Sequence, residues 1–157
     1  MPRGTSGHAK AKGALKRLNS VGKPMDLSGP ALVGGKRFQI SDLHDKIVIV
    51  YYWASWNSSC RNDLAKLKAL RNAFESKGLE LVCVNLDNHA NEATQILLRT
   101  PVEAVHLYQN GGLDSPLATD YGVMVLPTTV LVGRDGKVIR RDVDVNQLEE
   151  EVKKLVK

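Results

Sequence analysis

The alternation of apolar and polar residues changes its period once, near residue 58. Before that point, residues 46–52 form a continuous run rich in β-branched and aromatic side chains, which is typical of a buried central strand. After it, apolar residues recur every three or four positions as far as Gly78, which predicts an amphipathic helix whose start is capped by Ser58, Ser59 or Asn57. The apolar stripe of this helix comprises Leu64, Leu67, Leu70 and Phe74.

The remaining segments extend this pattern to the order ββαβαβ(α)ββα. Two short extended segments are expected around Met25–Leu27 and Arg37–Ile40, joined by a turn at Gly34 and Gly35. Further strands are expected at 79–86, 104–108, 128–132 and 137–141, and further helices at 87–98, 115–121 and after Asp144. A βαβ unit followed by an antiparallel hairpin and a last helix predicts an α/β fold. We expect a mixed central sheet with helices on both faces and an N-terminal β extension.

Charge changes this picture only at the N-terminus. The net charge is +5, but residues 1–23 carry six basic and no acidic residues, which leaves sixteen basic against seventeen acidic residues in the rest. We therefore interpret residues 1–22 as a basic leader or linker, disordered or part of a larger protein, and residues 23–157 as one domain. A helix could form over Ala9–Leu18, but no partner for it is evident. No aromatic residue accompanies these charges, so we do not expect nucleic-acid binding.

The cysteines and histidines limit the chemistry that the chain can perform. Two cysteines, Cys60 and Cys83, do not form a disulfide scaffold, and Cys83 lies within a predicted strand as a small buried apolar residue. The four histidines are scattered, so we expect neither a metal site nor a cofactor. No run of about 18 apolar residues is present, so we expect no membrane span, and we expect a monomer.

Two motifs carry a resemblance to a known family. The segment WASWNSSCR at 53–61 lies where the predicted strand gives way to the helix, and VLPTT at 125–129 precedes a strand. Together with Gly22–Pro24, they resemble the thioredoxin superfamily, and within it the ResA/TlpA branch of bacterial thiol-disulfide oxidoreductases, over residues 22–157. The resemblance implies a thioredoxin-like fold, a cis peptide bond before Pro127, and a protein or peptide substrate carrying a thiol or disulfide. It also implies a periplasmic or cell-envelope location, although the chain shows no signal peptide.

The resemblance also implies which residues form the site. In the family, one cysteine attacks a substrate disulfide and a second cysteine, three residues later, resolves the mixed disulfide. Asn57 occupies the first position here and Cys60 the second, so we expect weak, monothiol or no dithiol exchange. Tyr51 stands where many relatives have a buried Asp, and Asp63 matches an acidic position of the branch, which makes it a candidate acid or base. The candidate substrate-binding residues are Trp56, Leu126 and Pro127.

Three classes of function remain open from the sequence. The first is a redox protein that works through Cys60, alone or with an external thiol. The second is a redox-inactive thioredoxin-fold module that binds a peptide or protein in a groove between Trp56 and Pro127. The third is a structural module of a larger envelope protein. A peroxidase is disfavoured, because the tryptophan-rich motif differs from the Thr-x-x-Cys context of peroxiredoxins.

Overall fold

A five-stranded mixed sheet forms the centre of the protein in the computed structural model, which describes residues 5–156. The strands of this sheet are β3 (Ile47–Trp53), β4 (Leu79–Asn85), β5 (Val105–Tyr108), β6 (Thr128–Val132) and β7 (Val138–Arg141). A separate antiparallel pair consists of β1 (Ser28–Pro30) and β2 (Arg37–Gln39). The helices are α1 (Thr5–Leu18), α2 (Ser58–Phe74), α3 (Ala90–Arg99), α4 (Pro116–Thr119) and α5 (Val145–Leu155).

Strand β3 lies in the middle of the sheet order β5-β4-β3-β6-β7. It runs parallel to β4 and antiparallel to β6, and all seven of its residues are buried. Both faces of the strand are covered, which explains why its sequence is a continuous apolar run rather than an alternation. Trp53 pairs with Asn85, so β3 and β4 end at the same edge of the sheet. The prediction of an α/β fold with a mixed central sheet is confirmed.

Several predicted boundaries shift in the structure. Helix α2 buries Leu64, Leu67 and Leu70 as predicted. Of the three candidate caps, Asn57 is the N-cap, whereas Ser58 and Ser59 are the first two residues of the helix. Helix α3 begins three residues later than predicted, at Ala90. The first extended segment was expected at Met25–Leu27, whereas the paired strand β1 begins at Ser28. Met25 and Leu27 instead contribute buried side chains to the core.

The helix near the N-terminus has a partner, contrary to the expectation from sequence. Helix α1 crosses α4 so closely that a Cβ at Gly13 would overlap the backbone of Thr119 and Gly122. Two ion pairs join α1 to neighbouring loops: Lys10 pairs with Asp114, before α4, at 2.5 Å, and Arg17 pairs with Asp142, after β7, at 2.7 Å.

The chain that follows α1 also packs on the central sheet. Val21 and Pro24 form backbone bridges to Val138 and Lys137, at the start of β7. The segment from Lys10 to Pro24 therefore contacts the folded body, whereas residues 1–4 lie outside the described part of the chain. The division of the chain at residue 22 stays a prediction. Within residues 5–156, no helix has the length and apolar character needed to cross a membrane.

Candidate functional site

The turn between β3 and α2 is held by the side chain of Asn57. Its Oδ1 accepts a hydrogen bond from the backbone N–H of Cys60 at 3.1 Å, which caps one of the free donors at the helix start. Its Nδ2 donates to the backbone carbonyl oxygen of Leu126, also at 3.1 Å. The Leu126–Pro127 peptide bond is cis. One amide group therefore links the first turn of α2 to the loop that precedes β6.

Cys60 lies in the first turn of α2 and has no exposed surface. Both Cys60 and Cys83 are free thiols, so they are not bonded to each other. Burial raises the pKa of the Cys60 thiol, whereas a backbone hydrogen bond at Ala54 and the hydroxyl of Tyr51 act to lower it. The charges of Asp63 and Asp87 raise the pKa further. Because the balance is upward, Cys60 is a protonated thiol at neutral pH.

Tyr51 and Asp63 form a pair beside this thiol. The hydroxyl of Tyr51 donates a hydrogen bond of 2.8 Å to Oδ2 of Asp63. Burial, then the nearby Cys60 and Asp63, raise the pKa of Tyr51, so its hydroxyl remains a donor at physiological pH. Asp63 is thus an acceptor for a buried tyrosine in this structure, and its role as an acid or base stays a prediction.

A groove with a volume of about 740 Å³ opens on one side of the pair. Asp63 and Pro127 both line it, so the structure brings together one predicted acid and one predicted binding residue. Neither Trp56 nor Cys60 is among the described residues that line the groove. Trp56 is 59% exposed, while Leu126 is buried. In the loop before Pro127, the exposed apolar residues are Met124 (52%) and Val125 (72%).

A buried carboxylate anchors the same turn, and the sequence analysis assigned it no role. Asp87 has no exposed surface and accepts hydrogen bonds from the backbone N–H of Ser55 at 3.0 Å and from its hydroxyl at 2.9 Å. The side-chain amide of Asn85 donates a further bond of 2.8 Å. Two signals were available: Asp87 agrees with the pattern of the ResA/TlpA branch, and it lies two residues after a strand end, where parallel strands commonly present functional side chains.

The described residues contain no group of three or more His, Cys, Asp or Glu side chains that could hold a metal ion. The site therefore consists of one thiol, one tyrosine–carboxylate pair, a capping amide and a proline loop. The sheet order β5-β4-β3-β6-β7, with β3 leading into α2 and the loop before β6 bonded to the start of that helix, is that of a thioredoxin-like fold.

Comparison with known proteins agrees with this class. The family model described as thioredoxin-like matches residues 45–138. The thiol-disulfide oxidoreductase ResA of Bacillus thuringiensis is 29% identical, with 77% of this chain and 70% of that protein covered. ResA of Bacillus subtilis is 30% identical over 68% of this chain, but over only 58% of that protein. The chain belongs to the thioredoxin-like family and resembles its ResA-type thiol-disulfide oxidoreductases.

A solved structure supports the same assignment. The crystal structure of the thiol:disulfide interchange protein DsbE from Chlorobium tepidum is 28% identical. It superposes with a TM-score of 0.77, covering 88% of this chain and 99% of that one. The similarity therefore extends well beyond the family-model match at residues 45–138.

Proposed function

We propose that this protein is a thiol-disulfide oxidoreductase family member in which dithiol exchange is lost and Cys60 remains as a single, shielded thiol. The observation that carries the proposal is the side chain of Asn57, which caps α2 and bonds to the loop before Pro127. In relatives that exchange disulfides, a cysteine at this position supplies the attacking sulfur. An amide at this position has no thiolate form.

The second cysteine of the chain is not a replacement for the missing sulfur. Cys83 lies in the middle of β4, paired with Tyr51 of β3, and is fully buried. Burial raises the pKa of Cys83 to about 12, so almost none of it is thiolate at neutral pH. Cys60 therefore has no second accessible sulfur with which it could form an internal disulfide in a two-electron cycle.

A monothiol reaction remains chemically complete if an external thiol takes part. The Cys60 thiolate attacks one sulfur of a disulfide, the S–S bond breaks, and the departing sulfur leaves as a thiolate that takes up a proton. The resulting mixed disulfide is resolved only when a second, external thiolate attacks it and releases Cys60. The raised pKa and burial of Cys60 make the first step slow.

Mass spectrometry after exposure to glutathione disulfide tests the proposal. A protein with an exchange dithiol reacts onward to an internal disulfide and loses two hydrogens. We expect this protein to remain reduced or to retain one glutathione on Cys60, and we expect Cys60→Ser to retain none. An internal disulfide in the unmodified protein would overturn the proposal.

The exposed apolar side chains favour peptide or protein binding as a second candidate function. Trp56, Met124 and Val125 are more than half exposed near the start of α2 and Pro127. Reduced, carboxymethylated insulin B chain, which contains no thiol or disulfide, is a suitable fluorescent probe. If this function holds, its anisotropy rises on mixing, Cys60→Ser leaves binding unchanged, and Trp56→Ala abolishes it. Binding that survives Trp56→Ala, or no binding at all, would remove this candidate.

A further inference from the structure

The buried carboxylate of Asp87 contacts the turn between β3 and α2 from the loop that follows β4. Its two oxygens receive the backbone N–H and the hydroxyl of Ser55, and the amide of Asn85. The Ser55 N–H lies 3.0 Å and 3.1 Å from the two oxygens, so it is shared between them. The N–H of Asp87 in turn donates to Oδ1 of Asn85 at 2.9 Å, which fixes the carboxylate relative to β4.

The contact with Asp87 matters because Ser55 lies in the turn that carries Trp56. Ser55 immediately precedes the exposed Trp56, and Trp56 precedes the cap Asn57. The backbone N–H of Leu86 also bonds to the carbonyl of Trp53 at 2.8 Å, so the ends of β3 and β4 remain in register. The short segment between Trp53 and Asn57 is therefore attached at its middle to Asp87 and at its end to Leu126.

We infer that Asp87 is a positioning residue of the site: its buried carboxylate fixes the turn that presents Trp56 and leads into the helix carrying Cys60. The inference takes from the proposed function that Cys60 is the only thiol of the site, and it adds the residue that holds the turn before this thiol. Asp87 does not touch a substrate in this argument. It acts through Ser55 on the turn and through its charge on the sulfur.

The electrostatic effect of Asp87 on Cys60 can be judged from the groups that surround the thiol. These are the hydroxyl of Tyr51 from β3, the carboxylate of Asp63 from α2 and the carboxylate of Asp87 after β4. None of the three hydrogen-bond partners of Asp87 carries a positive charge, because they are a backbone amide, a hydroxyl and a side-chain amide. A negative charge near a thiol disfavours a second one, so Asp87 opposes ionisation of Cys60 in addition to the larger effect of burial.

Two substitutions separate the charge of Asp87 from its hydrogen bonds. Asp87→Asn removes the charge and keeps the shape and one acceptor oxygen. Ser55→Ala removes the hydroxyl bond and keeps the charge. Both are made in a Cys83→Ala background, so that Cys60 is the only thiol, and Asp26→Asn is the matched control because Asp26 is an exposed carboxylate. Circular dichroism and thermal unfolding establish that each variant folds.

The first readout is the rate of Cys60 alkylation by iodoacetamide as a function of pH. We expect Asp87→Asn to move the profile to lower pH and to raise the rate at pH 8, because one cause of the raised pKa of Cys60 is removed. We expect Ser55→Ala and Asp26→Asn to leave the midpoint of the profile unchanged. A folded Asp87→Asn variant whose profile matches that of the background protein would overturn the electrostatic part.

The second readout is the fluorine NMR signal of Trp56 in protein labelled with 5-fluorotryptophan, assigned by its loss in Trp56→Phe. We expect the Trp56 signal to shift or broaden in both Asp87→Asn and Ser55→Ala, and to stay in place in Asp26→Asn. If Asp87→Asn does not fold, Ser55→Ala still tests the positioning role. An unchanged Trp56 signal in Ser55→Ala would overturn that role. Neither readout depends on disulfide exchange, so failure here is distinct from failure of the proposed function.

Discussion

The two cysteines place the same side chain in two different environments of the molecule. Cys83, in the middle of β4, is surrounded by the core, and burial is the one cause that raises its pKa, to about 12. Cys60, in the first turn of α2, is equally inaccessible, yet hydrogen bonds at Ala54 and Tyr51 oppose the effect of burial. The comparison indicates that Cys83 is a packing residue, whereas Cys60 retains part of the environment of a reactive thiol.

Alkylation rates provide the largest expected contrast between the two regions. We expect Cys83, measured in Cys60→Ala, to react only through global unfolding, at least about a thousandfold more slowly than in urea-unfolded protein. Cys60, measured in Cys83→Ala, should react faster, because opening the first turn of α2 requires less than global unfolding. Equal rates in the two variants would remove the distinction.

The pH dependence of stability should also separate the two thiols. The pKa of Cys83 is about 12 in the folded chain and its ordinary value is 9.0, so the unfolded chain releases this proton first. The contribution of Cys83 to the free energy of unfolding is therefore complete below pH 9 and is lost as pH rises toward 12, by up to about 4 kcal/mol. We expect urea unfolding of Cys83→Ala to show a shallower decline above pH 9. An identical decline in the two proteins would contradict this interpretation.

Serine substitution tests the surroundings of each sulfur. In Cys83→Ser, a hydroxyl enters an apolar part of the core, and we expect a loss of about 1–3 kcal/mol in the free energy of unfolding. In Cys60→Ser, the hydroxyl of Tyr51 is close enough to act as a partner, so the loss should stay below about 1 kcal/mol. Urea unfolding at pH 7 measures both values, and a larger loss for Cys60→Ser would reverse the comparison.

The cap beside Cys60 also gives a small expected effect. Asn57→Ala removes the acceptor for the Cys60 N–H and the donor to Leu126, and we expect a loss of about 1 kcal/mol. Asn57→Asp keeps the acceptor and places a negative charge at the helix start, so it should lose less. Thermal unfolding of the two variants compares them directly. Equal losses would mean that the bond to Leu126, and not the cap, provides the stabilisation.

The local pattern of the chain was enough to predict the centre of the fold. The apolar run of β3 and the stripe of α2 are local features, and both appear where the sequence places them. The docking of α1 could not be predicted, because the close approach of Gly13 and Gly122 joins positions more than 100 residues apart. The ion pair between Arg17 and Asp142 was not predicted either, because the basic residues of the N-terminal segment were considered only as a net charge.

The candidate site was predictable only in part for a similar reason. The resemblance predicts that Asn57 stands where relatives have a cysteine, but the N-cap stayed open among Asn57, Ser58 and Ser59, because all three are suitable capping residues. The contact between Asp87 and Ser55 depends on the register of two parallel strands, which the sequence does not specify. Likewise, the separation of Trp56 from the groove lined by Pro127 became visible only in three dimensions.

Insulin reduction by the Asn57→Cys variant tests the central claim most directly, with dithiothreitol as the electron source. If the scaffold is intact and lacks only one sulfur, Asn57→Cys should turn over insulin faster than dithiothreitol alone. The unmodified protein and Asn57→Cys combined with Cys60→Ser should not. A correctly folded Asn57→Cys variant without turnover, or an unmodified protein with equal turnover, would contradict the account.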